Sequence, residues 1–179
     1  RLQQAGVRDV VINVSYLGDK IIDHLGDGQR YGLNIVYSQE PDTPLGTGGG
    51  IYQALPLLGE DPFIVLSSDV WTDYPLEQLF DQVASDAHLI VVDNPSFHPT
   101  GDYGLTAAGY LDIKTSPKYT YASFGVLHPR LFRDSAPGCH AVSPLLEAAM
   151  ARQAVTGELY RGQWFNVGTA VELNRLSAQ

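Results

Sequence analysis

Short β-branched or apolar runs recur along this chain at residues 7–14, 33–37, 63–66 and 88–92. Between them lie stretches with helical spacing at 17–25, 51–58 and 76–84. In the first of these stretches Leu17, Ile21, Ile22 and Leu25 fall three and four apart, which makes one apolar helical face. Strand–helix–strand connections of this length close as right-handed parallel βαβ units. The expected fold class is therefore α/β, a three-layer Rossmann-like arrangement with a mainly parallel sheet. The run at 7–14 reads as a strand buried on both faces, and residues 38–50, rich in Pro, Thr and Gly, read as a loop. The helix at 51–58 is expected to end or bend at Pro56. After Asn94-Pro95 the rhythm changes: 103–106, 109–114 and 119–127 read as short strands joined by turns, an antiparallel insertion over one edge of the sheet. Helical patterns return at 144–152 and 169–176. No repeat, low-complexity tract or linker divides the chain, so residues 1–179 are expected to form one domain.

Charge narrows the partners. Lys and Arg number 11 against 20 Asp and Glu, a formal net charge of −9. Such a surface repels a polyphosphate backbone, which argues against nucleic-acid binding. A small phosphorylated substrate stays compatible if a cation supplies the missing positive charge. The single cysteine, Cys139, excludes an internal disulfide framework and a thiolate metal cluster. No apolar run approaches the length of a membrane span. Residues 1–6 carry no signal-peptide pattern and read as the tail of an amphipathic helix closed by a glycine. A cytoplasmic location is the expectation.

Three segments carry the chemistry. In Leu66-Ser67-Ser68-Asp69 a carboxylate stands at the carboxyl end of an expected central strand, the position where open α/β sheets bind ligands. Asp69 there is either a hard oxygen ligand for Mg²⁺ or a cap or turn residue. In Pro44-Leu45-Gly46-Thr47-Gly48-Gly49-Gly50, glycines preceding a helix permit close approach of a flat or anionic group. No Lys follows, so it is not a phosphate-binding loop of the Walker type. In Trp164-Phe165-Asn166-Val167-Gly168-Thr169 a short strand turns into a helix, and Asn166 offers a carbonyl oxygen to a metal, an amide to a sugar, or a local turn. Asp93, Asp102 and Gly104 mark the junction with the antiparallel insertion, where polar loops suit sugar hydroxyls. Ser67-Ser68 lacks a nucleophile-elbow frame and a base. His24, His88, His98, His128 and His140 show no metal-ligand spacing.

In this order these segments, with Asp23-His24-Leu25-Gly26-Asp27-Gly28, Asp69-Val70-Trp71-Thr72-Asp73-Tyr74 and Val92-Asp93-Asn94-Pro95, resemble the sugar-1-phosphate nucleotidyltransferase family over essentially the whole chain. Within it they look most like enzymes that transfer a uridylyl group from UTP to N-acetylmuramic acid 1-phosphate in cell-wall recycling. Guanylyl or thymidylyl transfer to a hexose 1-phosphate is the alternative activity, and a non-catalytic sugar-nucleotide-binding homologue the alternative class. The resemblance implies a Mg²⁺-dependent reaction in which a sugar-phosphate oxygen attacks the α-phosphorus of the nucleoside triphosphate. It implies Asp69 as the catalytic metal aspartate and Asn166 at the second metal position. Gly46, Thr47, Gly48 and Gly49 would hold the nucleobase, with Glu40 before them. Asp102 and Gly104 fall where the family contacts the sugar or its phosphate, and Ser67 is expected among the substrate-binding residues. Three departures accompany it. The family's opening Gly-rich phosphate loop, with its Arg and Lys, has no counterpart here, so this stretch alone is expected to be inactive and N-terminally truncated. Asn166 stands where the family carries an Asp, and Ser67-Ser68 replaces an Asn-Gly-like pair.

Overall fold

The structure, a computed structural model, describes residues 1–82 and 85–177. The chain forms two compact units, 1–63 with 128–148 and 64–127 with 149–179. Because the chain passes from one to the other more than once, no single linker separates them.

In the first unit β1 (Asp9–Val14) pairs in parallel with β2 (Asn34–Gln39), Asp9 facing Asn34 and Val14 facing Gln39. Helix α1 (Gly18–Leu25) lies between them in sequence, the βαβ order expected from the periodicity. Two expectations are corrected here. Of β1 only Val14 is buried, because within the described residues this sheet has two strands and leaves β1 half open. Helix α1 forms but buries none of its residues, with Leu17 and Ile21 exposed. The core of this unit is Val14, Ile35, Ile51, Ala54, Leu131, Phe132 and Leu146.

Helix α2 (Gly46–Leu58) corrects the loop expected over 38–50, since the glycines form its first turns. Only Gly46 has a left-handed backbone, φ 69°. Gly48, Gly49 and Gly50 are buried, and the close approach they allow is to the protein itself. Pro56 sits inside the helix, which runs on to Leu58 and stops at Gly59.

In the second unit a six-stranded sheet has the order β7 (Leu111–Asp112), β6 (Tyr103–Leu105), β8 (Lys118–Leu127), β5 (Ala87–Val92), β9 (Val155–Tyr160), with β3 (Phe63–Leu66) also paired to β8. Strand β5 is buried at every residue and pairs in parallel with β9, Ala87 to Val155 and Val92 to Tyr160. Strands β6, β7 and β8 are the antiparallel part. That part does not simply cover an edge: β8 runs through the sheet between β6 and β5, with its alternating Thr120, Ala122, Phe124 and Val126 all buried. Strand β9 escapes the periodicity reading although Val155, Thr156, Leu159 and Tyr160 are good strand formers.

The helix expected at 76–84 is a 3₁₀ helix over Leu76–Asp81, residues 83 and 84 lying outside the described part. Its buried Leu76 and Leu79 are three apart, the spacing that aligns side chains in a 3₁₀ turn. A short ribbon of β4 (Val70–Thr72) and β10 (Trp164–Asn166) is antiparallel, and α3 (Ser143–Ala151) and α4 (Ala170–Ser177) complete the elements.

Candidate active site

In the second unit, β3 delivers Ser67, Ser68 and Asp69 in a tight turn whose Val70 N–H donates to the Ser67 carbonyl at 3.2 Å. The start of this turn is anchored from below. The Ser67 N–H donates to the carbonyl of Ser123 at 3.0 Å. Ser123 adopts φ 61° where the β5–β8 register slips opposite Ile90, a bulge that turns its carbonyl out of the ladder. The neighbouring Ala122 carbonyl accepts the indole N–H of Trp164 at 3.0 Å, so the bulge ties both β3 and β10.

The β4–β10 ribbon then brings Asp69 beside Asn166. Asn166 faces Val70 in register, and the N–H of Val167 donates to the Asp69 carbonyl at 2.6 Å. Trp71 and Phe165 pack across the ribbon with ring centroids 5.6 Å apart. Among the described residues neither the exposed Asp69 carboxylate nor the half-buried Asn166 amide hydrogen-bonds to the protein. This distinguishes them from Glu40 and Asp102.

Glu40, in the first unit, has both oxygens occupied. One accepts the Asn13 amide at 3.2 Å and the other the Leu45 N–H at 3.1 Å, so it holds the approach to α2. Gly46 and Thr47 are exposed at the start of that helix. The N–H groups of Gly48 and Gly49 donate to the His140 carbonyl at 3.0 and 3.1 Å, and His140 N–H returns a bond to Leu45 at 2.9 Å. Those donors therefore serve the packing of α2 rather than an anion. Asp102 is likewise occupied, one oxygen 3.0 Å from His98 Nε2 and the other accepting the Tyr121 N–H at 2.8 Å. Gly104 lies so close to the Thr115 carbonyl, 2.2 Å from where a Cβ would stand, that its role here is steric.

The parallel strands β5 and β9 end together at Val92 and Tyr160, and a cavity of about 530 Å³ opens at those carboxyl ends. Asn166 lines it with Asp93, Phe97, Arg161 and Trp164. This is the crevice that open α/β sheets use for ligands. Periodicity and motif reading missed Phe97 and Arg161; recognising β9 would have placed Arg161 just past a strand end. The helix beyond, α4, is capped at its N-terminus by Thr169: Glu172 N–H donates to Thr169 Oγ1 at 3.2 Å, and Thr169 Oγ1–H donates to the Glu172 carboxylate at 2.8 Å.

As metal donors, Asp69 and Asn166 are hard oxygens free of protein partners. Among the described residues no group of three His, Cys, Asp or Glu could complete a cage. That donor set suits Mg²⁺, which takes one or two carboxylates, keeps waters and completes its shell with substrate phosphates.

Comparison with known proteins extends this picture. The family model described as Nucleotidyl transferase matches residues 1–179. The N-acetylmuramate alpha-1-phosphate uridylyltransferase of Neisseria meningitidis serogroup B is 39% identical, over 99% of this chain and 80% of that protein. The enzyme of the same name from Caulobacter vibrioides is 32% identical, over 94% of this chain and 76% of that protein. A Bacillus anthracis crystal structure in complex with a sucrose shares the fold, with TM-score 0.82 at 18% identity, covering 99% of this chain and 78% of that chain.

Proposed function

The chain belongs to the nucleotidyl transferase family, and on that premise we propose that it transfers a uridylyl group from UTP to the phosphate of N-acetylmuramic acid 1-phosphate, releasing pyrophosphate and forming a UDP-sugar. Two relatives carrying that activity in their names support the choice of base and sugar, one of them 39% identical over 99% of the chain. The observation that carries the catalytic assignment is the ribbon pairing that sets Asp69 beside Asn166, which lines the cavity, both side chains uncommitted.

In this reading Asp69 and Asn166 hold Mg²⁺. When bound, the ion supplies the positive charge that lets phosphates approach a chain of net charge −9. No protein nucleophile is required, since phosphoryl-type transfer is catalysed mainly by positioning and charge stabilisation. Ser67 acts through its backbone, which the Ser123 carbonyl fixes and which in turn aims Asp69. Trp164, its indole N–H spent on Ala122, presents a ring of fixed orientation to the cavity. Asp102 and Gly104 support the strand that borders the sugar. In the first unit, taken by itself, Glu40 holds Leu45, Gly46 and Thr47 leave the start of α2 open, and Gly48 and Gly49 let that helix seat on His140. We place the reaction in the cytoplasm, where nucleoside triphosphate is available, within cell-wall recycling. Among the described residues no helix is long and apolar enough to cross a membrane.

The test is Asp69→Ala in the full-length protein, followed as pyrophosphate release with UTP and N-acetylmuramic acid 1-phosphate. Loss of about 100-fold or more in kcat, with an unchanged circular dichroism spectrum, is expected. Near-normal turnover removes the metal assignment. Product formed with GTP or TTP and a hexose 1-phosphate, but not with UTP, replaces the uridylyl reading, and UDP-sugar binding without turnover in the parent protein replaces it with a non-catalytic one.

A further inference from the structure

The loop that follows β9 is held unusually firmly for an exposed turn. Tyr160 Oη–H and the Gln163 N–H both donate to one oxygen of Asp73, the latter at 2.7 Å. The Gln163 carbonyl accepts the Thr72 hydroxyl at 2.8 Å and the Asp73 N–H at 3.1 Å. Gly162 is required there, because a Cβ would stand 2.0 Å from the Tyr160 hydroxyl oxygen and 2.7 Å from Asp73. Between these staples sits Arg161, exposed, lining the cavity, and with no hydrogen bond or ion pair among the described residues.

An arginine whose backbone is fixed on both sides while its guanidinium is left unused is suited to a ligand, since little further backbone order is lost on binding. Its neighbours in the cavity define that ligand. Among the described residues Arg161 is the one Lys or Arg that lines the cavity, in a protein with 11 such residues against 20 acids. Of the acids lining the cavity, Glu172 accepts the Thr169 hydroxyl, while Asp93 is exposed and free to accept sugar hydroxyls. Phe97 is 66% exposed on the same wall, an apolar surface with nothing over it. The site thus offers an aromatic wall, a carboxylate and a planar cation, the combination for a sugar that itself carries an anionic substituent.

Resting on the reading that N-acetylmuramic acid 1-phosphate is the acceptor, we infer that Arg161 is a specificity-determining residue that pairs with the carboxylate of the sugar's lactyl group, with Phe97 covering the lactyl methyl. N-acetylglucosamine 1-phosphate, the same sugar without the lactyl group, lacks the partner. Selection between the two then comes from a charge-assisted, two-pronged hydrogen bond rather than from cavity size.

The experiment compares kcat/KM for N-acetylmuramic acid 1-phosphate and N-acetylglucosamine 1-phosphate, each with saturating UTP, in the full-length parent protein, Arg161→Gln and Arg161→Lys. Calorimetric binding of the two sugar phosphates accompanies the kinetics. The ratio favouring the muramic substrate is expected to fall about tenfold or more in Arg161→Gln. The change should lie in KM, with part of the ratio kept by Arg161→Lys. An equal loss on both substrates, or an unchanged ratio, overturns the inference. So does a parent protein that uses both substrates equally well, which leaves uridylyl transfer standing. A parent protein that makes no UDP-sugar from either substrate, yet binds the muramic compound more tightly through Arg161, overturns the transfer reading and supports the recognition.

Discussion

The start of helix α2 gives a prediction in which two ordinary rules oppose each other. Gly49→Ala places a methyl group in a helix, and helix propensity alone favours alanine over glycine by about 1 kcal/mol. The structure argues the reverse. A Cβ at Gly49 would lie 2.1 Å from the Gly138 carbonyl oxygen, where ordinary contact begins at 3.4 Å. The obstacle is backbone on both sides, so relief requires the helix or the 138–141 segment to retreat by about 1 Å, as overpacked contacts do at roughly 1–3 kcal/mol. That retreat breaks the bonds from Gly48 and Gly49 N–H to the His140 carbonyl, 3.0 and 3.1 Å long, each contributing about 1 kcal/mol net. The combined expectation is destabilisation by about 2–4 kcal/mol after the propensity gain, or a fall in Tm of roughly 5–15 °C. Urea and thermal unfolding of the parent and Gly49→Ala measure it, with Thr47→Ala, exposed in the same turn, changing stability by about 0.5 kcal/mol or less. A Gly49→Ala protein as stable as the parent, or more so, would refute the idea that these glycines exist for close packing.

Other expectations follow from the same structure. Asn166→Asp adds a carboxylate beside Asp69, so the Mg²⁺ concentration for half-maximal activity should fall on the order of fivefold; an unchanged titration counts against Asn166 as a metal position. Burial holds the pKa of His88 below its ordinary value, with the Glu158 carboxylate opposing in part. The unfolded chain therefore binds a proton near pH ~6.5 that the native state resists. Stability from this source is complete above that pH and declines as the pH falls below it, and in urea titrations His88→Gln should flatten that decline. Thr169→Ala removes the Thr169 N-cap and its bond to Glu172 and should cost about 1 kcal/mol locally. Amide hydrogen exchange in the first turn of α4 should accelerate roughly fivefold, while exchange in β5 stays as it was.

What could be read without coordinates followed from local rules. The β–α–β order at the start, the three antiparallel segments after Asn94-Pro95 and the strand leading to Asp69 all depend on periodicity within a few residues, and all are present. The pairing of Asp69 with Asn166 was legible only through family likeness. Their separation in sequence is closed by the three-residue β4–β10 ribbon, too short to show a period. Beyond reach were features that depend on what a segment packs against. The glycines of 46–50 are turn formers by themselves, and became helix because His140, Ala141 and Gly138 lie where side chains would have been. Glu40 and Asp102 look like free carboxylates in a sequence, yet hydrogen bonds from Asn13, Leu45 and Tyr121 have claimed them. Arg161 looks like any surface cation until β9 is seen to run parallel to β5 and end at the same cavity. Backbone propensity and hydrophobic spacing act over single turns and strands, so the chain alone determined its fold class and its longer periodic elements; how the glycines of 46–50 fold and which polar groups stay unspent for a ligand are matters of long-range partners, and only the tertiary structure decided them.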